Sequence, residues 1–192
     1  MTKNRLEAFS DGVIAIIITI MVLELKIPHD ASWHALSELI PIALSYLMSF
    51  INIGIYWGNH HHLLHTAKRV NSGIIWSNLN LLFWLSLMPF ATAWMGENDF
   101  AANTVAVYSA VLLLCGASYY ILQKCIMADY KESSPLIDAL QKQTLKANIS
   151  TLSYAIAIPL SYVHTTISGA LIVMVALLWL IPDKNIERAI KE

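Results

Sequence analysis

The sequence is poor in charge. Only 13% of its 192 residues are Asp, Glu, Lys or Arg, whereas 57% are hydrophobic and the mean hydropathy is +0.57. These values lie outside the usual range of soluble globular domains. Repeated apolar stretches of about 20 residues leave too little polar surface to face water. We therefore predict an all-α integral membrane protein that is embedded in the lipid bilayer and has no nucleic-acid partner.

Disulfides and a cleaved leader are not expected either. The two cysteines, Cys115 and Cys125, are ten residues apart on one predicted helix and do not readily meet. Asp11 interrupts the start of the first apolar segment, and no small-residue cleavage site follows it. The first segment is therefore expected to remain in the protein. Since no fixed-period repeat or low-complexity segment is present, we expect a single domain over 1–192.

Catalytic signatures are also missing. The sequence has no G-x-S-x-G, no Gly-rich phosphate loop and no cysteine in a catalytic context with histidine. His61 and His65 share a helix face and could clamp a metal, but the glutamate of a zinc-protease motif and a third ligand are absent. We predict no enzymatic activity, no metal and no cofactor. For His60 and His61 we favour hydrogen bonds to Asp11; solvated histidines and a metal site are the alternatives.

Hydrophobic runs and turn signals predict six membrane spans, at 6–27, 36–66, 73–95, 100–127, 146–164 and 167–182. With a cytoplasmic N-terminus, eleven of the twelve Lys and Arg residues lie on the cytoplasmic side, and only Lys26 lies outside. This bias predicts a multi-pass protein of the plasma membrane with both termini in the cytoplasm.

The first predicted span carries an apolar stripe beside an acid. Ile16, Ile20 and Leu23 lie on one helix face with Thr19 next to them. Such a stripe alone is usually lipid-facing or packed core, but a carboxylate such as Asp11 at membrane depth favours a helix that lines an interior. Six helices in so short a chain enclose little space, so identical first helices around a symmetry axis would form the pore.

Rings of these aliphatic residues would form a hydrophobic constriction, which gates by dewetting. Thr19 would either help to coordinate a partly dehydrated cation or bond to its own helix backbone. Both interpretations stay open at this point.

The residues around Asp11 also resemble a known signature. The run Arg5-Leu-Glu-Ala-Phe9-Ser10-Asp11 is similar to the RxxxFSD motif of the transmembrane protein 175 potassium channels, in the single-copy form of prokaryotic members. The resemblance extends over roughly the first 100 residues, through Trp57–His61, Asn71, Trp76–Leu79, Leu87–Phe90 and Gly96-Glu97.

This resemblance implies a potassium-selective leak channel, a homotetramer of six-helix subunits whose first helices line a central pore. It implies no TVGYG filter, which the sequence indeed lacks. Ile16 would be the main constriction, with Ile20 and Leu23 as further rings and Thr19 at a selectivity position. The structural motif would hold helices and subunits together through polar partners in the second and third spans. Its members are Arg5, Phe9, Ser10 and Asp11, and the candidate partners are His60, His61, Trp76 and Asn78.

A competing hypothesis is a secondary transporter coupled to protons or a metal ion, using Asp11 and the cluster His60–His65. A proton relay normally needs acids or histidines spaced through the membrane. The middle of the predicted spans has almost none. The channel is therefore the favoured prediction, with potassium as the permeant ion.

Overall fold

The computed structural model describes residues 1–128, 130 and 135–180, with only the backbone described over 135–143. The chain is helical, as predicted. The helices are α1 (Lys3–Met21), which continues as a 3₁₀ turn at Val22–Glu24, α2 (Trp33–Ser37), α3 (Ile40–Thr66), α4 (Ser72–Ser86), α5 (Met88–Glu97), α6 (Ala102–Met127), α7 (Pro135–Leu160) and α8 (Thr165–Leu180).

Four stretches of the described residues are long and apolar enough to cross a membrane: Lys3–Glu24, Ile40–Thr66, Ser72–Glu97 and Ala102–Met127. They coincide with the first four predicted spans. The α8 helix is apolar but has 16 residues, about 24 Å of helix, which is shorter than a hydrocarbon core of about 30 Å. The fifth predicted span begins at 146, whereas α7 already begins at Pro135.

The third predicted span is two helices rather than one. The α4 helix ends at Ser86 and α5 starts at Met88, with a turn at Leu87 between them. Pro89 has no backbone N–H and so cannot donate to the carbonyl of Leu85, which would continue the helix. Pro159, in contrast, lies one residue before the end of α7 and does not split it.

The α4 helix begins with a side-chain cap. Asn71 precedes it in an extended conformation, and its Oδ1 accepts a hydrogen bond from the backbone N–H of Ile74 at 2.9 Å. This bond satisfies one of the N–H groups that have no partner inside the helix. The cap fixes the start of α4, the helix on which Asn78 is buried.

Helix α1 packs against α3, α4 and α5 through one face only. Its buried side chains recur at intervals of three and four residues and are Leu6, Ser10, Ile14, Ile17 and Met21. Helix α6 lies between α4 and α7, and α7 forms a hairpin with α8. The α1 helix therefore lies at the edge of the protomer with its other face uncovered.

A glycine allows α5 to approach the backbone of α3. A Cβ added at Gly96 would lie 2.5 Å from Ser45 Oγ and 2.8 Å from the Cα of Ile42. The Cα of Ile42 belongs to the backbone, so it cannot move away as the end of a flexible side chain can. Gly96 is therefore required for the packing of the C-terminal end of α5.

Gly96→Ala should lower the stability of the protein by about 1–3 kcal/mol, because overpacking forces the two helices apart. The measurement is the apparent Tm of the detergent-solubilised protein. Gly169→Ala is the control, since a Cβ at Gly169 meets nothing within 4 Å. Equal melting temperatures for the two variants would show that the α3–α5 contact is less close than described.

Candidate functional site on the first helix

The face of α1 opposite the buried one is apolar and open. Ile16, Ile20 and Leu23 are 61%, 41% and 74% exposed in the protomer. At about 100° per residue they lie in one stripe, which continues to Phe9 near the N-terminal end of α1. Ile27, beyond the C-terminal end of α1, is also exposed. The predicted constriction residues thus share one uncovered face of a membrane helix.

The hydroxyl of Thr19 lies beside this stripe and is bonded to its own helix. Thr19 Oγ1 donates toward the carbonyl oxygens of Ala15 and Ile16, each at 3.0 Å. A threonine hydroxyl has one hydrogen but also two lone pairs. Because the side chain is exposed, the local bond leaves the oxygen able to accept from water or to coordinate a cation.

Three fully buried polar side chains join α1, α3 and α4. Ser10 Oγ donates to the carbonyl of Leu6 at 2.9 Å and accepts from Asn78 Nδ2 at 2.9 Å. Asn78 Oδ1 lies 2.6 Å from His60 Nε2. Since the amide oxygen can only accept, His60 carries its proton on Nε2. We call Ser10, Asn78 and His60 the buried triad; it brings together residues from the predicted motif and its predicted partners.

A second set of contacts joins α1 to α3 at the edge of the protomer. Three successive turns of one helix meet three successive turns of the other. The Lys3 ammonium donates to the backbone carbonyl of His65, Glu7 pairs with His61, and Trp57 donates to Asp11. Both sets of residues recur every fourth position, so each lies on one helix face. We call these six residues the polar ladder. It fixes the register of the two antiparallel helices where the N-terminal end of α1 meets the C-terminal end of α3.

The polar ladder corrects the expected hydrogen bond from His60 or His61 to Asp11. Asp11 Oδ1 instead accepts from the indole Nε1 of Trp57 at 3.0 Å. His61 Nδ1 lies 2.6 Å from Glu7 Oε1, and His60 belongs to the buried triad. Successive residues on a helix point about 100° apart, so Ser10 and Asp11 reach different neighbours.

Trp76 is the other predicted partner that the structure places elsewhere. Its side chain is 72% exposed, whereas Asn78, two residues along α4, is fully buried. Two positions on a helix differ by about 200° in direction, so they lie on nearly opposite faces. Arg5 and Phe9 are exposed at the N-terminal end of the stripe. The motif is therefore divided between the protomer interior and its open face.

Sequence reasoning missed Trp57 and Glu7 as contact residues. The signal that could have identified them is the four-residue spacing of polar residues on the first helix, matched by the same spacing on the third. Beyond the C-terminal end of α1, the exposed Lys26 forms an ion pair with Glu97 of α5, and this hydrogen bond raises the pKa of the Lys26 ammonium. The first helix is thus anchored at both ends.

The histidine run does not form a metal centre in the part of the chain that the structure describes. No three His, Cys, Asp or Glu residues of that part come close enough to hold an ion. The rings of His61 and His65 stack with centroids 6.3 Å apart. His61 Nδ1 contacts Glu7, and His65 takes part in the polar ladder through its backbone carbonyl.

Known proteins are similar to this chain over the region that contains the motif. Residues 5–89, which include the motif and most of the polar contacts, match the family model described as endosomal/lysosomal potassium channel TMEM175. A potassium channel of a Chryseobacterium species is 52% identical over 192 residues, covering 100% of both chains. An endosomal/lysosomal proton channel TMEM175 of Gallus gallus is 30% identical over 62% of this chain, which corresponds to 26% of that protein.

A solved structure has the same architecture over nearly the whole chain. The crystal structure of a lysosomal potassium-selective channel TMEM175 homolog from Chamaesiphon minutus superposes with a TM-score of 0.82 at 27% sequence identity. The superposition covers 94% of this chain and 97% of that one. The likeness therefore includes α7 and α8, which lie outside the family model.

Proposed function

This chain belongs to the TMEM175 family, and we propose that it is a potassium channel in which four copies surround a pore lined by α1. Its bacterial relative of the same length is named a potassium channel, and its structural relative a potassium-selective one. In this proposal α7 and α8 are the fifth and sixth spans, both termini are cytoplasmic, and the channel lies in the plasma membrane.

The observation that carries the proposal is the open stripe on α1. The helix is held at its N-terminal end by the buried triad and the polar ladder and beyond its C-terminal end by the Lys26–Glu97 pair, yet its apolar stripe stays exposed in the protomer. A helix fixed so firmly at the edge presents the same residues in every copy. Symmetry then turns each residue of the stripe into a ring.

The rings define the proposed conduction path. Ile16, near the middle of the span, forms the narrowest hydrophobic ring, with Ile20 and Leu23 towards the outer mouth. Such a constriction controls conduction by the presence or absence of water. The exposed hydroxyl of Thr19, between the first two rings, offers an oxygen to an ion that loses part of its hydration shell. Selectivity for potassium is assigned to this short segment.

Potassium flux from liposomes tests the function. The purified protein should release potassium passively down its gradient, faster than sodium, with no requirement for a proton gradient. Protein-free liposomes give the background leak. Potassium movement that occurs only when a proton gradient is imposed would identify a coupled transporter and contradict the channel.

Proton conduction is a second candidate function, favoured by the name of the Gallus gallus relative and by the acids and histidines of the polar ladder. These groups lie at the inner end of α1, and Gly12–Met21 has no titratable side chain. That gap spans about 15 Å of helix, so protons would have to cross it along water. A pH-sensitive dye inside the liposomes reports proton entry. Acidification of the liposomes without release of potassium would favour this candidate.

A further inference from the structure

A cavity lies between α3, α6, α7 and α8, and no residue of α1 lines it. The space between its atoms is about 510 Å³ when the open mouth is included. Residues of all four helices line it, among them Asn52, Tyr56, Gly116, Ser150, Tyr154 and Trp179. Nothing in the proposed conduction path uses this cavity.

The chemistry of the lining is neutral and aromatic, with a few polar groups. None of the twelve lining residues is Asp, Glu, Lys, Arg or His, so a charged ligand would lose hydration without a compensating partner. Trp179 Nε1 is already satisfied by Ser150 Oγ at 2.8 Å. The lining therefore favours an uncharged molecule with a largely apolar body.

Two phenol hydroxyls remain available to such a molecule. The Tyr154 side chain lines the cavity and is only 4% exposed, and its hydroxyl makes no hydrogen bond to the described residues. The same holds for the hydroxyl of Tyr56, which would lie 3.7 Å from a Cβ at Gly116. Buried tyrosine hydroxyls usually have a partner. A ligand hydroxyl would supply one.

We propose that this cavity is a binding site for a neutral amphipathic alcohol, whose apolar body lies against the aromatic rings and whose hydroxyl bonds to Tyr154 and Tyr56. The same chemistry is found in small free alcohols and in the glycerol end of an uncharged membrane glyceride. The site does not depend on the conduction proposed above, because binding is measured without ion flux.

Fluorine NMR of the purified full-length protein in nanodiscs tests the site with three probes of one shape: 4-fluorobenzyl alcohol, 4-fluorotoluene and 4-fluorobenzylammonium. The alcohol should bind severalfold more tightly than the toluene, and the ammonium most weakly. Tyr154→Phe should reduce the affinity for the alcohol about tenfold and leave that for the toluene unchanged. Tyr162→Phe, an exposed tyrosine outside the cavity, is the control and should change neither.

Gly116→Leu should abolish binding of both neutral probes, since it fills the space beside Tyr56. Three results would each overturn the proposal. They are retained binding of the neutral probes by Gly116→Leu, an unchanged affinity of Tyr154→Phe for the alcohol, and binding of the ammonium as tight as that of the alcohol. Adding dioleoylglycerol to the nanodiscs separates the two sources. Displacement of the fluorinated alcohol identifies a membrane glyceride as a ligand, and no displacement restricts the site to small free alcohols.

Discussion

Ile16→Asn is expected to open the pore to water and to remove most of its ion selectivity. Each copy would contribute one amide to the ring in place of an aliphatic side chain, so the narrowest segment would stay hydrated. A barrier lowered by about 1.4 kcal/mol raises a rate tenfold, and in the proposed tetramer four substitutions act on the same barrier. We expect potassium flux to rise about tenfold or more, and the potassium-to-sodium ratio to fall towards one.

The matched control is Leu152→Asn. Leu152 on α7 is 62% exposed, almost the same as Ile16, but it lies away from the α1 stripe. It should leave both flux and selectivity as in the parent. The two variants are compared by liposome flux in potassium and sodium at equal protein density. An unchanged ion ratio in well-folded Ile16→Asn would remove Ile16 from the conduction path.

Asn78→Leu should have the largest effect on stability and assembly. It removes the central member of the buried triad and leaves both Ser10 and His60 without their bond to α4. Each buried polar group left unpaired costs about 1–3 kcal/mol. The rotation of α1 would no longer be fixed, so the stripe would not be presented uniformly. We expect a lower Tm and loss of the assembled oligomer.

Asn80→Leu is the control on the same helix. Asn80 is exposed and makes one hydrogen bond, from its Nδ2 to Ser118 Oγ at 2.7 Å, so its loss should be much milder. Light scattering after size exclusion gives the mass of each variant in detergent. If Asn78→Leu keeps the parent mass and melting temperature, the buried triad does not hold the helix for assembly.

The sequence was sufficient to predict the long membrane spans, but not the positions at which a helix is interrupted or begins. Hydrophobic length located α1, α3 and α6, because a membrane helix is defined by a continuous apolar run. The turn at Leu87 was missed because the apolar run continues through it, although Pro89 carries the signal. The early start of α7 at Pro135 was missed because its first turns are polar.

At the site, periodicity identified the stripe but not the partners. Spacing shows that Ile16 and Leu23 share a face whichever way the helix turns. It does not show how α1 is rotated against α3, and that rotation decides whether Asp11 meets a histidine or Trp57. To predict which residues pair, the register of α1 against α3 must be known. The matched four-residue spacing of the polar ladder indicates that register only when both helices are considered together.

Cadmium block of an Ile16→Cys channel tests most directly whether the α1 stripes of several copies surround the pore. Thiolates brought close together around an axis bind a soft divalent metal such as cadmium tightly. Micromolar cadmium should stop potassium flux through Ile16→Cys, and a chelator should restore it. The parent, with Cys115 and Cys125, and Leu152→Cys should be unaffected. An active Ile16→Cys channel that cadmium does not block would contradict a pore lined by α1.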